Sequence, residues 1–126
     1  MEIINIGQVY KHLLNVSRQF PSLQVKKGDS SSILHSFPDN TFDMIYIDGD
    51  HSYEGVKKDL LASYSKIKPG GWIMGHDFGI NPQKAKHYYE FGVEKAVLEF
   101  CVKFQQEVSV LGMDGCISFG IQVKKN

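Results

Sequence analysis

The chain is 126 residues long, with 42% hydrophobic and 22% charged residues and a formal net charge of +0. That length makes one modest domain, and the composition is that of an ordinary globular chain rather than a disordered one. Neutrality excludes nucleic-acid binding by bulk electrostatics, which needs clustered surplus Lys and Arg, and no apolar run reaches the ~20 residues that span a bilayer.

Taken in chain order, residues 2–6 form an apolar run ending at Gly7, which predicts a buried strand. Residues 9–20 place Tyr10, Leu13, Leu14 and Phe20 at helical spacing, and Pro21 stops the helix. Residues 23–27 alternate and lead into Gly28-Asp29-Ser30, a strand followed by a turn. Residues 30–32, all serine, can cap a short helix through His35, ended by Pro38-Asp39-Asn40. Residues 42–47, Phe-Asp-Met-Ile-Tyr-Ile, are nearly continuous in β-formers and read as a strand buried on both faces.

Residues 52–66 set Tyr53, Val56, Leu60 and Tyr64, with Ile67 beyond, on one helical face. Lys68-Pro69-Gly70-Gly71 is a tight break, and residues 72–75 form the next strand, ending at His76-Asp77. After a loop through Pro82, residues 93–106 carry Val93, Ala96, Val97, Phe100, Cys101 and Phe104 as an amphipathic stripe. Residues 108–111 and 116–123 are two strands joined across Gly112-Met113-Asp114-Gly115, a turn that makes an antiparallel hairpin. Strand–helix alternation predicts an α/β, Rossmann-like domain over residues 1–126. Its sheet is mainly parallel with helices on both faces, and the C-terminal hairpin adds an antiparallel edge.

The two cysteines, Cys101 and Cys116, have no zinc-type spacing and read as small core residues of a reducing compartment. Residues 1–5 lack the charged and apolar regions of a signal peptide, so a cytoplasmic location is expected.

Ligands of open parallel sheets bind at the carboxyl ends of the strands. Three such ends are polar here: Gly28-Asp29-Ser30, Asp48-Gly49-Asp50-His51 and Gly75-His76-Asp77. If they share one rim, Asp48, Asp50, His51, His76 and Asp77 make a cluster of oxygen and imidazole groups. Such a cluster can hold a hard cation such as Mg²⁺ and supply a histidine general base. The same residues have a plainer reading. Asp48 or Asp50 can cap the helix that follows, His76 can be a hydrogen-bonded histidine, and Asp29 can make a turn or cap instead of meeting a ligand. The aromatic group His87, Tyr88, Tyr89 and Phe91 can wall a substrate site or serve packing.

The string Phe42-Asp43-Met44-Ile45-Tyr46-Ile47-Asp48-Gly49-Asp50-His51-Ser52-Tyr53-Glu54-Gly55-Val56 is followed by Asp59-Leu60 and by Ile67-Lys68-Pro69-Gly70-Gly71-Trp72-Ile73-Met74-Gly75-His76-Asp77-Phe78. Over roughly residues 10–78 this resembles the class I S-adenosylmethionine-dependent methyltransferases, in particular the bacterial group of macrocin-type and cephalosporin-type O-methyltransferases. The resemblance implies S-adenosylmethionine as cofactor, Mg²⁺ as metal, and a small hydroxylated molecule as methyl acceptor. It also implies roles at matching positions. Asp29 meets the adenine amino group, with Ser30 beside it. Asp48 is a metal ligand or a neighbour of the sulfonium, His51 is the catalytic general base, and Asp77 is a second metal ligand. His76, a third candidate ligand, stands where several metal-dependent members carry an acidic residue.

The family's glycine-rich cofactor loop precedes the matching region, and Gly7 is the only glycine here before Gly28. The expectation is a partial domain, short by about two strand–helix steps, or ~60 residues at ~30 per βαβ unit. From that follows a second reading, a non-catalytic binding or assembly module of the same fold, with homodimerisation by strand exchange; a third, resting on the polar cluster, is a metal-dependent hydrolase on a Rossmann-like fold using Asp48, Asp77 and His51.

Overall fold

The computed structural model describes residues 6–49, 52–80, 92–113 and 116–125. Its elements are α1 (Ile6–Ser17), α2 (Ser30–His35), β1 (Phe42–Ile47), α3 (Tyr53–Lys66), β2 (Ile67–Ile80), α4 (Val93–Phe104), β3 (Val110–Met113) and β4 (Cys116–Gln122). The four strands form one sheet in the order β1-β2-β4-β3. β1 and β2 are parallel, and β4 runs antiparallel to both β2 and β3. Three strands therefore point one way and β4 alone is reversed, as the mainly parallel sheet with a closing hairpin requires.

The elements form where the apolar pattern and the caps agree. α3 starts at Ser52, whose hydroxyl accepts from the Gly55 N–H at 3.2 Å. Its Val56 and Leu60 are buried, and Ile67 just past its end is fully so. α4 buries Val93, Ala96, Val97, Phe100 and Cys101 and stops at Gln105, which takes a left-handed backbone with φ 55°. Both helices lie on the sheet face formed by Ile47, Ile73, Phe119 and Ile121, and this cluster is the core.

Several expectations change. The strand over residues 2–6 falls mostly outside the described residues, and Ile6 opens α1 instead. That helix ends at Ser17, short of Phe20, where bonds from Gln19 N–H to Val16 and Phe20 N–H to Ser17 tighten the chain into a turn. Among the described residues α1 packs on no other element. Residues 23–27 pair with no described strand, because the ordered sheet ends at β1. Lys26 and Lys27 lie over the Phe37 and Tyr10 rings.

β1 is not buried on both faces: Met44 is 58% and Tyr46 49% exposed. The helices that pack on the sheet, α3 and α4, share one face. The other, where Met44, Tyr46, Trp72, Met74 and Val110 lie by register, has no described helix on it. The break at residues 68–71 is a bulge inside a longer strand, since Phe42 pairs with Ile67 but Met44 with Trp72. Gly70 at φ 83° makes the bend.

Candidate functional site

The start of α2 lines both of the larger clefts, one with the carboxyl end of β1 and the other with the first turns of α3. Gly28 leads into α2 at φ 151°, a conformation that an L side chain rarely adopts, and a Cβ there would lie 3.2 Å from Ile33 Cδ1. Asp29 caps α2. Its Oδ2 accepts from Ser31 Oγ at 2.7 Å, Ser32 N at 3.1 Å and Ser32 Oγ at 2.8 Å. The Ser31 hydroxyl first, then the Ser32 hydroxyl and N–H, hold the Asp29 carboxyl below the ordinary aspartate range. The capping role open for Asp29 in the sequence is thus realised, and Asp29 rather than the serines is the cap.

Ser30 Oγ donates to Asp59 Oδ1 at 2.6 Å, and Asp59 is only 8% exposed on α3 beside Leu60. This bond ties α2 to α3. Ser30 and Asp59 then line two adjoining clefts. One, of about 400 Å³, also has Gly28, Ile33, Leu34, Ile45, Tyr46 and Asp48 in its wall. The other, of about 240 Å³, has Asp29, Ser52, Glu54 and Lys58. Asp59 was not among the expected site residues. An aspartate one position from Leu60 and three from Val56, on the apolar face of α3, was the signal for it.

Asp48 also faces a second, much narrower space. It lines a crevice of about 10 Å³ with Gly49, His76 and Asp77, floored by Val56, Val93 and Phe119. That is room for about one water. The structure therefore brings Asp48, His76 and Asp77 together around the crevice, while Ser30 shares the larger cleft with Asp48 alone of the three and Asp29 lies in the adjoining one. His51 and Asp50 lie outside the described residues, as do His87, Tyr88, Tyr89 and Phe91.

A bulge in β2 places His76 and Asp77. Gly75 pairs with Phe119 but Gly79 with Ile117, so residues between them are extruded from the ladder. Asp77 takes the left-handed conformation at φ 61°, which aspartate tolerates better than most residues. His76 Nδ1 lies 3.1 Å from Asp77 Oδ1. Cys116, opposite Ile80 at the start of β4, completes a trio. One ligand atom from each of His76, Asp77 and Cys116 falls within 4.8 Å of the others, and all three are half-buried. Among the described residues this is the only such group of potential metal ligands, and Asp48 is not in it. Nothing in the spacing of Cys116 signals this; only the bulge brings it there.

The donor set bears on which ion could bind. Mg²⁺ wants oxygen ligands in near-octahedral array, and an imidazole, a carboxylate and a thiol are not that set. The trio does not fit Mg²⁺.

A sheet that ends in a reversed strand slotted between two parallel neighbours, with polar loops at the strand ends, defines a Rossmann-like α/β domain. A family model described as a methyltransferase domain matches residues 7–78, more than half of the chain, and the chain belongs to that family. No curated protein matches the sequence significantly. Solved structures share the fold. A protein from Pyrococcus horikoshii OT3 superposes with a TM-score of 0.66 at 12% identity, over 93% of this chain and 68% of its own. A SAM-dependent methyltransferase from Aquifex aeolicus gives 0.61 at 19% identity, over 90% and 62%. An O-methyltransferase family protein from Burkholderia thailandensis gives 0.60 at 8% identity, over 94% and 41%. The chain thus spans about two thirds of the first of these and less of the others. No helix among the described residues is long and apolar enough to cross a membrane.

Proposed function

We propose that this chain is a domain of an S-adenosylmethionine-dependent methyltransferase that methylates a hydroxyl group of a small molecule. The observation that carries this reading is the cleft of about 400 Å³ at the carboxyl end of β1, in a chain of the methyltransferase-domain family. Its size falls in the range that holds a nucleoside-sized ligand. Ile33, Leu34, Ile45 and Tyr46 offer an apolar wall for a flat ring, and Asp48 and the Ser30–Asp59 pair offer acceptors for amino and hydroxyl groups. Asp29, from the adjoining cleft, is a further acceptor, with only Oδ2 engaged in capping. The names of the Aquifex and Burkholderia neighbours support the cofactor and the O-methyl acceptor.

When bound, the cofactor supplies an electrophilic methyl group to an acceptor oxygen. The chain's part is to hold the two in line, which can supply much of the rate, and to take the hydroxyl proton. His51 is the proposed base for that proton. The Mg²⁺ assistance that the resemblance implies at Asp48, His76 and Asp77 does not enter this reading: among the described residues Asp48 is not in the one close group of potential ligands, and the imidazole of His76 is not the oxygen ligand that Mg²⁺ takes.

Calorimetric titration of S-adenosylhomocysteine tests the reading. Micromolar binding, about −8 kcal/mol, is expected, and Asp48→Ala should weaken it at least tenfold. Asp29→Ser keeps a capping oxygen, so loss of affinity there reports ligand contact rather than a damaged α2. A folded chain that gives no binding up to about millimolar refutes it. His51→Gln should leave binding intact and slow methyl transfer.

A further inference from the structure

We infer that His76, Asp77 and Cys116 form a binding site for a thiophilic divalent cation of the Zn²⁺ class, with one coordination position left open.

Ligands 2.0–2.3 Å from a tetrahedral Zn²⁺ stand about 3.3–3.8 Å apart. The His76–Asp77 pair is already at 3.1 Å, and the three ligand atoms lie within 4.8 Å of one another. Rotamer adjustments well under an ångström per side chain close the remaining gap. The backbone is already committed: the β2 bulge and the left-handed Asp77 present consecutive residues of one strand to the first residue of its neighbour.

Chemistry selects the ion. Thiolate and imidazole favour Zn²⁺ and its borderline-soft relatives, while Mg²⁺ and Ca²⁺ take oxygen. Cys116 is a thiol, not part of a disulfide, and the His76 and Asp77 side chains are 28% and 19% exposed. An ion can therefore enter, and its ligands are partly shielded. Three protein ligands leave a fourth position for water or an oxygen of a bound molecule, the pattern of catalytic rather than structural zinc sites. The crevice shared by Asp48, His76 and Asp77 adjoins the trio.

The inference does not depend on methyl transfer, and its test needs no turnover. Zn²⁺ is titrated into the metal-stripped full chain in competition with a chromophoric chelator, and Co²⁺ is followed by absorption. The expected result is one Zn²⁺ per chain at micromolar affinity or tighter, with no competition from millimolar Mg²⁺. His76→Ala and Cys116→Ser should each weaken binding at least tenfold, and Cys101→Ser should leave it unchanged. Bound Zn²⁺ should also slow alkylation of Cys116. No Zn²⁺ binding overturns the inference, as does equal displacement by Mg²⁺ or an unchanged affinity in a folded Cys116→Ser variant. If that variant does not fold, the wild-type Co²⁺ spectrum decides. A thiolate-to-cobalt charge-transfer band supports the site, and its absence refutes it.

Discussion

Gly75 precedes His76 and Asp77 and sits where two backbones and an aromatic ring converge. A Cβ added there would lie 2.6 Å and 2.7 Å from Phe119 Cε1 and Cζ and 2.8 Å from the Ile47 carbonyl oxygen. Phe119 is 2% exposed on the central strand β4, with its ring 6.0 Å from that of Phe78. Gly75→Ala therefore overpacks a site that can yield on the ring side but not on the backbone side, at a cost of about 1–3 kcal/mol. Phe119→Leu removes the ring atoms in the way and on its own costs about 1–2 kcal/mol of lost apolar burial. In the double variant the smaller side chain makes room for the new methyl group. The combined loss should fall short of the sum by about 1 kcal/mol, as expected for residues in direct contact. Urea unfolding of the four proteins measures this, with the midpoint moving and the slope unchanged. Each kcal/mol corresponds to about 4 °C in melting temperature for a chain of this size. If the two losses add within about 0.5 kcal/mol, the ring is not what excludes a side chain at residue 75, and the packing argument is wrong.

Gly92, which precedes α4, abuts the start of α3, and a Cβ there would fall 2.3 Å from the Tyr53 nitrogen and 2.5 Å from its Cα. Backbone atoms cannot step aside, so Gly92→Ala should cost about 3 kcal/mol; a melting temperature within 2–3 °C of wild type would show that the helices separate at no cost. The Asp29 cap predicts a pH dependence. Hydrogen bonds from Ser31 and Ser32 depress the folded-state pKa below the unfolded value near 3.8. The stabilisation is therefore fully present above about pH 4 and is lost as pH falls through the lower folded-state value. The stability gap between wild type and Asp29→Ala should be level from pH 7 to 5 and narrow below 4. A gap that stays constant down to pH 2.5 contradicts a charged cap.

Much of the fold is legible in the amino-acid pattern, and the failures share a cause. The strand over residues 42–47, the helix beginning after Ser52 and the helix from Val93 stand where the apolar spacing and end signals put them. Residues 23–27 have the alternation of a strand, but a strand exists only with a partner, and none is present among the described residues. Lys68-Pro69-Gly70-Gly71 carries the signature of a turn, yet the ladder resumes past it and the turn is absorbed as a bulge. Local chemistry marks where the chain bends, not whether pairing continues. The site divides in the same way. Asp48, His76 and Asp77 could be placed together because each follows an apolar run of strand formers, although β2 does not end at Gly75 but runs on through a bulge at His76 and Asp77 to Ile80. Cys116 could not, since it depends on a register shift in β2, and Asp59 is marked in the sequence only as an aspartate on an apolar helix face, its partner coming from the packing of α2 on α3.

Trp72 is the only tryptophan, and by register it belongs to the sheet face that no described helix covers. Its ring passes over Gly120, with Cζ3 and Cε3 3.4 Å and 3.5 Å from the point where a Cβ would stand. The indole is thus half-buried against its own sheet and half in solvent, while the hydrophobic core lies on the opposite side. Intrinsic fluorescence in this protein consequently reports the wetting of one surface. A blue shift in emission would register anything laid over that face, and a mutation that loosens the core beneath α3 and α4 could pass without an optical trace.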